Sequence, residues 1–180
     1  RDRGARLHGH FNGEPGAPDA HQWRAVFWLF AEEEQPPDVI IGVRDLDHQP
    51  ERRAGFRQAV EARRWPFKTL PALANPESEA WHIATWRPET DEERSVAHEL
   101  RRRLGFAPTD HPDRLTSKDS HDPRDCKRIL GELCARGRSL DERWAEADLD
   151  QLHQRGEACG LRELIDGVRS EVIPLLTRRG

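Results

Sequence analysis

Two aspartates, Asp45 and Asp47, stand two residues apart directly after the run VIIGV at residues 39–43. The run is short, unbroken and β-branched, the pattern of a strand buried on both faces. Residues two apart in extended chain share a face, so the two carboxylates are expected to project together. Like charges held together disfavour joint ionisation unless a cation stands between them. Mg2+, or Mn2+ in its place, suits that position because it takes oxygen ligands and keeps water for a substrate. In open α/β sheets, ligands bind beyond the carboxyl ends of the strands. A second reading stays open. Aspartate after a strand also shapes turns and caps helices, and Asp47 stands just ahead of a helix expected from Pro50.

Three further acids enter by position. Glu79, in ESEAW, follows another expected strand and could approach Asp45 if the two strands are neighbours. Glu77 stands two residues earlier and reads as a first-turn acid that complements a helix dipole, a reading open to Glu79 as well. Glu14 lies in GEPG, a turn whose backbone amides could cradle an anion, although no lysine makes it a P-loop. Arg44, Arg52 and Arg53 flank the D-x-D in sequence and could contact phosphate or pair with local acids. Lys118 and Lys127 reach the site only if the irregular stretch before residue 126 folds over it.

The remaining constellations point less clearly to chemistry. His8 and His10 share a strand face, but two histidines do not make a zinc site. Asp110, His111, Asp113, His121 and Asp122 read as loop residues and helix caps. The three cysteines, Cys126, Cys134 and Cys159, contain no C-x-x-C pair, so Cys126 and Cys134 read as small apolar core residues. Six tryptophans could stack on bases, yet their helical spacing beside other apolar residues favours core packing.

The elements that must position these residues alternate in the first half. Residues 5–12 read as a strand, and a helix runs from about Asp19, its expected cap, to Glu34, with Trp23, Val26, Phe27 and Phe30 on one face. The strand at 39–43, a helix over 50–64, a strand at 67–74 weakened by Pro71, and a helix after residue 76 follow. Such alternation predicts an α/β fold with a mostly parallel sheet flanked by helices. After residue 88 the pattern turns helical. Helices are expected over 91–104, around Ile129–Cys134, after the Ser139/Glu142 capping box, and from Leu161 to Leu176, with Pro174 kinking or ending the last. The expected organisation is an α/β core over 1–88 and a helical region over 89–180.

Composition narrows the function classes. The chain has 180 residues, enough for a real core, with a net charge of −4 that does not announce a nucleic-acid binder. Lysine is scarce, with Lys68, Lys118 and Lys127 the only three, so arginine carries the positive charge. Coding bias accounts for such an excess better than function does. No stretch reaches the ~18 apolar residues of a membrane span, and no secretory signal opens the chain. The odd cysteine count fits a reducing compartment, and a cytoplasmic location is expected. The chain contains no Met and begins at Arg1.

A hydrophobic strand closing on R-D-L-D, then a helix, a strand and P-E-S-E-A-W, resembles the small TOPRIM-like proteins of bacteria, including the nuclease domains of the overcoming-lysogenization-defect type. The resemblance covers roughly residues 5–88. It implies a TOPRIM/Rossmann-like fold, with Asp45 and Asp47 as the family's D-x-D and Glu79 in the segment that follows the next strand. It further implies Mg2+-dependent phosphodiester cleavage by a nuclease, with DNA or RNA as partner, and a setting such as defence against phage within a multi-component system. Glu14 lies closer to Asp45 than the family's upstream glutamate does, so the strand carrying that glutamate is expected before Arg1. The competing function is a non-catalytic interaction or nucleic-acid-binding subunit with a degenerate acidic site, assisted by a companion protein.

Overall fold

The computed structural model describes residues 10–11, 13–135 and 137–177. Contacts divide the chain into two compact units, and the division runs through the strands rather than at residue 88. The first is Arg1–Gly42, Gln49–Pro71 and Gly167–Gly180; the second is Val43–His48 and Ala72–Asp166.

The first unit is organised by aromatic residues. Strands β1 (His10–Phe11) and β2 (Glu14–Pro15) form an antiparallel hairpin turned at Gly13. The rest of the expected strand at residues 5–12 lies outside the described residues, His8 included. Helices α1 (Ala20–Ala31) and α2 (Glu51–Glu61) carry Phe27 and Phe56, whose rings meet edge to face at 5.6 Å. Trp23, Trp65 and Phe67 complete this core. Asp19 does not cap α1 with its side chain, contrary to expectation. It takes a left-handed φ of 65°, and its carboxylate lies 3.4 Å from the Arg52 guanidinium.

Strands β3 (Val39–Asp45) and β4 (Lys68–Ala74) pair in parallel as a two-stranded sheet. The fold is therefore mixed helix and sheet with two small sheets among the described residues, not the mostly parallel sheet expected. The expectation that the 39–43 run is buried on both faces also fails. Ile41 and Val43, which share a face, are 42% and 60% exposed. Pro71 is tolerated within β4 because a two-stranded sheet consists only of edges, where one missing amide donor costs little.

The second unit is helical beyond its strand ends, as the sequence predicts. It holds α3 (Glu79–Thr85), α4 (Asp91–Leu104), α5 (Cys126–Cys134), α6 (Leu140–Ala145), α7 (Leu149–Arg155) and most of α8 (Leu161–Gly167). Ala72, Ala74, Ile83, Trp86, Leu100, Leu115, Ile129 and Leu133 form its core. Capping boxes at Thr90/Glu93 and Ser139/Glu142 start α4 and α6, and Asp125 caps α5 by accepting from the Arg128 amide at 2.7 Å. The expected last helix is interrupted. It widens to π geometry over Val168–Val172 before α9 (Ile173–Thr177), where Pro174 lacks the amide that an α-helical bond to Ser170 needs. Among the described residues, no helix is long and apolar enough to cross a membrane.

Candidate functional site at the strand ends

The carboxyl ends of β3 and β4 belong to the second unit and are stitched together past the last strand residues. The Leu46 amide donates to the Ala74 carbonyl at 2.8 Å, and the Asp47 amide to the Pro76 carbonyl at 2.9 Å. The turn after β3 needs left-handed backbone, with φ of 51° at Asp47 and 60° at His48. Aspartate tolerates that region better than most residues. The strand geometry thus stops before Asp47, and the expectation that alternation aims both carboxylates together is corrected. Asp47 does not cap α2 either, since Pro50 holds the position before that helix without a side-chain bond.

Asp45 and Asp47 instead meet different partners. Asp45 Oδ1 accepts from the Ser78 amide at 2.8 Å, which ties β3 to the residue just before α3. Asp47 Oδ1 lies 3.3 Å from Lys118 Nζ. Ser78 is flanked by Glu77 and Glu79, so the same short segment brings two more carboxylates to the strand ends. Glu79 opens α3 and is half-buried, whereas Glu77 is only 7% exposed. Lys127 Nζ lies 3.2 Å from Glu77 Oε2 and 4.0 Å from Glu79 Oε1. Its contact with Glu77, reinforced by the charges of both glutamates, holds the Lys127 ammonium above its ordinary range. Glu77 Oε2 is buried and has no hydrogen-bond partner, so the Lys127 ammonium faces it as a charge and not as an aligned donor.

The segment that delivers Lys118 is irregular but tightly organised. Ser117 and Asp125 form an isolated parallel bridge. Asp119 accepts from the His121 amide, Asp122 from the Arg124 amide and Asp125 from the Arg128 amide. These aspartates serve the loop's own backbone, as the sequence reading of Asp122 as a loop residue anticipates. The condition set on Lys118 and Lys127 is met: the stretch does fold onto the strand ends.

Cys126 begins α5 beside the acids. Burial, and then the negative charges of Glu77, Glu79 and Asp125, push its thiol up to about 12. It stays protonated and packs as a core residue. On the far side, the 158–160 turn clamps β4. The Cys159 carbonyl accepts from the Asn75 amide at 3.1 Å and the Trp81 indole at 2.7 Å. Gly160, with φ of 85°, passes so close to β4 that a Cβ there would lie 2.1 Å from the Leu73 carbonyl oxygen.

Other candidates fall elsewhere. Glu14 is exposed on β2 and belongs to the first unit, whereas Asp45 and Asp47 belong to the second. Of the three flanking arginines, Arg44 lies on β3 in the second unit, and Arg52 and Arg53 lie on α2 in the first. Arg52 is committed to Asp19, with both side chains close to nine-tenths buried. Asp110 pairs with Arg155 at 3.2 Å. Trp81, Trp86 and Trp144 pack in the core of the second unit with internal hydrogen-bond partners: Trp81 bonds to the Cys159 carbonyl, Trp86 to the Leu133 carbonyl at 3.0 Å, and Trp144 to His82 Nδ1 at 2.7 Å. Sequence reasoning ranked Glu79 above Glu77, yet Glu77 is the buried acid with the closer cation.

Four carboxylates form a hard oxygen donor set. Among the described residues, no three His, Cys, Asp or Glu side chains gather closely enough to cage a metal ion. Mg2+ does not need a cage, since it is usually held by one or two carboxylates together with water and substrate phosphate. The buried Oε2 of Glu77 already faces a cation, the Lys127 ammonium at 3.2 Å. No protein-family model, curated protein or solved structure matches the chain.

Proposed function

We propose that the strand-end acids are the centre of a Mg2+-dependent, TOPRIM-like phosphodiesterase acting as a nuclease on DNA or RNA, in a setting such as defence against foreign DNA. One observation carries this reading: Asp45, Asp47, Glu77 and Glu79 all stand at or just past the carboxyl ends of adjacent parallel strands, where two lysines pair with Asp47, Glu77 and Glu79. Asp45, Asp47 and Glu77, with Glu79 beside them, are the residues that would hold the cation. Bound there, Mg2+ would supply charge neutralisation at the reacting phosphate and a more acidic water. The Ser78 amide keeps Asp45 oriented, and Lys118 and Lys127 can reach phosphate oxygens on flexible stems. The protonated Cys126 thiol is no nucleophile, so water is the attacking group in this reading.

Labelled single- and double-stranded DNA and RNA, incubated with Mg2+, with Mn2+ or with chelator, test the proposal. Cation-dependent cleavage that is lost in Asp45→Asn/Asp47→Asn supports it. No cleavage of any substrate by folded protein in either metal removes the catalytic reading. A second reading has its own support, because Asp45, Asp47 and Glu77 each already have an intramolecular partner. In that reading the cluster fastens the strand ends of an interaction subunit that works with a companion protein. The same double substitution would then lower stability without removing any activity.

A further inference from the structure

β3 and β4 form a sheet of two strands, so each has one edge that faces away from the other. Backbone alternation fixes which groups point there. The Lys68 amide donates to the Asp38 carbonyl at 2.9 Å, and the Leu46 amide to the Ala74 carbonyl at 2.8 Å. Even-numbered residues of both strands therefore turn their backbone groups inward, and odd-numbered ones turn theirs outward. The two outward edges differ. On β4 the outward row holds Pro71, which has no amide to offer, and past the strand's end the Asn75 amide is taken by the Cys159 carbonyl. Lys68 begins that strand. Such features keep a sheet edge from joining another. β3 has none of them. Its outward row is Val39, Ile41 and Val43, with Ile41 and Val43 exposed, and among the described residues β4 is its single strand neighbour.

The residues of this edge are also arranged symmetrically in charge and size. In Asp38-Val39-Ile40-Ile41-Gly42-Val43-Arg44 the centre is Ile41. An antiparallel copy laid against the edge, with Ile41 opposite Ile41, sets Val39 opposite Val43, Ile40 opposite Gly42 and Asp38 opposite Arg44. Ile41 and its copy exchange both backbone bonds, and each Val39–Val43 pair does the same. Asp38 and Arg44, both exposed, then fall at non-hydrogen-bonded positions, where side chains across the strands come closest. Centring the pair on Gly42 instead would set Val39 against Asp45 and Ile40 against Arg44. We propose that β3 pairs with the β3 of a second copy of this chain, antiparallel and centred on Ile41, to make a four-stranded sheet in the order β4-β3-β3-β4. Charge complementarity selects a second copy as the occupant, because each copy supplies the acid and the base that the other needs, as a two-fold interface requires. Asp38 and Arg44 also interact within their own chain, so the exchange across the two-fold axis competes with those contacts. The pairing is independent of the metal-dependent reading above.

Sedimentation equilibrium of the full chain over about 1–200 µM reads the association directly. Wild type is expected to be a dimer at the upper end of that range. Asp38→Arg sets two arginines against each other at both ends of the pair, and Arg44→Asp sets two aspartates. Each variant alone should dissociate at least about tenfold more readily than wild type. An equimolar mixture of the two restores opposite charges at both ends and should associate like wild type, as a heterodimer. Ile41→Lys, which faces itself across the two-fold axis, should be monomeric. The mixture is its own control for folding, since both partners carry the substitutions that weaken them singly. A wild type that stays monomeric at about 200 µM overturns the proposal. So does a dimer that survives Ile41→Lys, and so does a mixture of the two charge variants that associates no more tightly than either alone.

Discussion

Glu93 and Arg143 offer the sharpest test of how the helical unit is held. Their side chains are 4% and 3% exposed, and the Arg143 Nη2 donates to Glu93 Oε1 in a short contact. Glu93 also accepts from the Glu89 amide at 2.6 Å and the Thr90 amide at 3.4 Å, and Arg143 Nη1 donates to the Arg87 carbonyl at 2.6 Å. The pair therefore joins the start of α4 to α6 across a dry contact. Glu93→Ala leaves a buried guanidinium without its carboxylate, which costs about 3–5 kcal/mol. For a chain of this size that corresponds to a fall in Tm of roughly 6–20 °C, at about 2–4 °C per kcal/mol. Glu93→Leu/Arg143→Met removes both charges together. It should recover most of that loss, short of about 1 kcal/mol for the hydrogen bond to Arg87.

Urea unfolding followed by tryptophan fluorescence and far-ultraviolet circular dichroism measures both variants. The pair also sets a pH dependence. Burial pushes the Glu93 carboxyl upward, but the Glu89 amide, the Arg143 charge and the Thr90 amide together hold it below its ordinary range. A carboxyl depressed in the folded state gives stability that is fully present above the unfolded value, near 4.3, and is lost as pH falls through the lower folded value. Wild type should lose stability below about pH 4.3 more steeply than Glu93→Leu/Arg143→Met. A Glu93→Ala loss under about 1 kcal/mol, or a double variant as unstable as the sum of its singles, would refute the reasoning.

Two further outcomes follow from the site's surroundings. Gly160→Ala forces a Cβ against the Leu73 carbonyl at a left-handed φ, and should destabilise the protein by about 2–4 kcal/mol in the same urea assay. Cys126 and Cys159, with thiols pushed up to about 12 and about 11, should resist a thiol reagent at pH 8 in the native state and react only on unfolding. Rapid labelling of either in folded protein would contradict their burial.

Much of the element order was legible because local rules decide it. The capping box at Ser139 and the β-branched run at 39–43 each carry their own cause. What pattern did not reveal is where the faces go. The Val39–Val43 run reads as doubly buried, yet Ile41 and Val43 stand exposed because the strand has one neighbour, and neighbour count is a tertiary property. Asp45 and Asp47 were legible as strand-end acids. Their different partners were not, because the left-handed turn at Asp47 answers to the Pro76 carbonyl that its amide reaches. Glu77 looked like an ordinary first-turn acid, since its burial depends on α5 and the Ser117–Asp125 loop, far along the chain.

A signal for the lysines did stand in the composition. Lysine is rare in this chain, and two of its three copies, Lys118 and Lys127, pair with strand-end acids, while Lys68 opens β4. Arginine would hold Asp47 and Glu77 more firmly, and a cluster built only for stability would gain from that fork. The positions instead carry the more hydrated ammonium, over acids of which Glu77 is buried and Asp47 and Glu79 are part-exposed. An ammonium can fasten these acids or give way to a divalent cation, so metal binding by the folded chain distinguishes the catalytic reading from the structural one before any substrate is known.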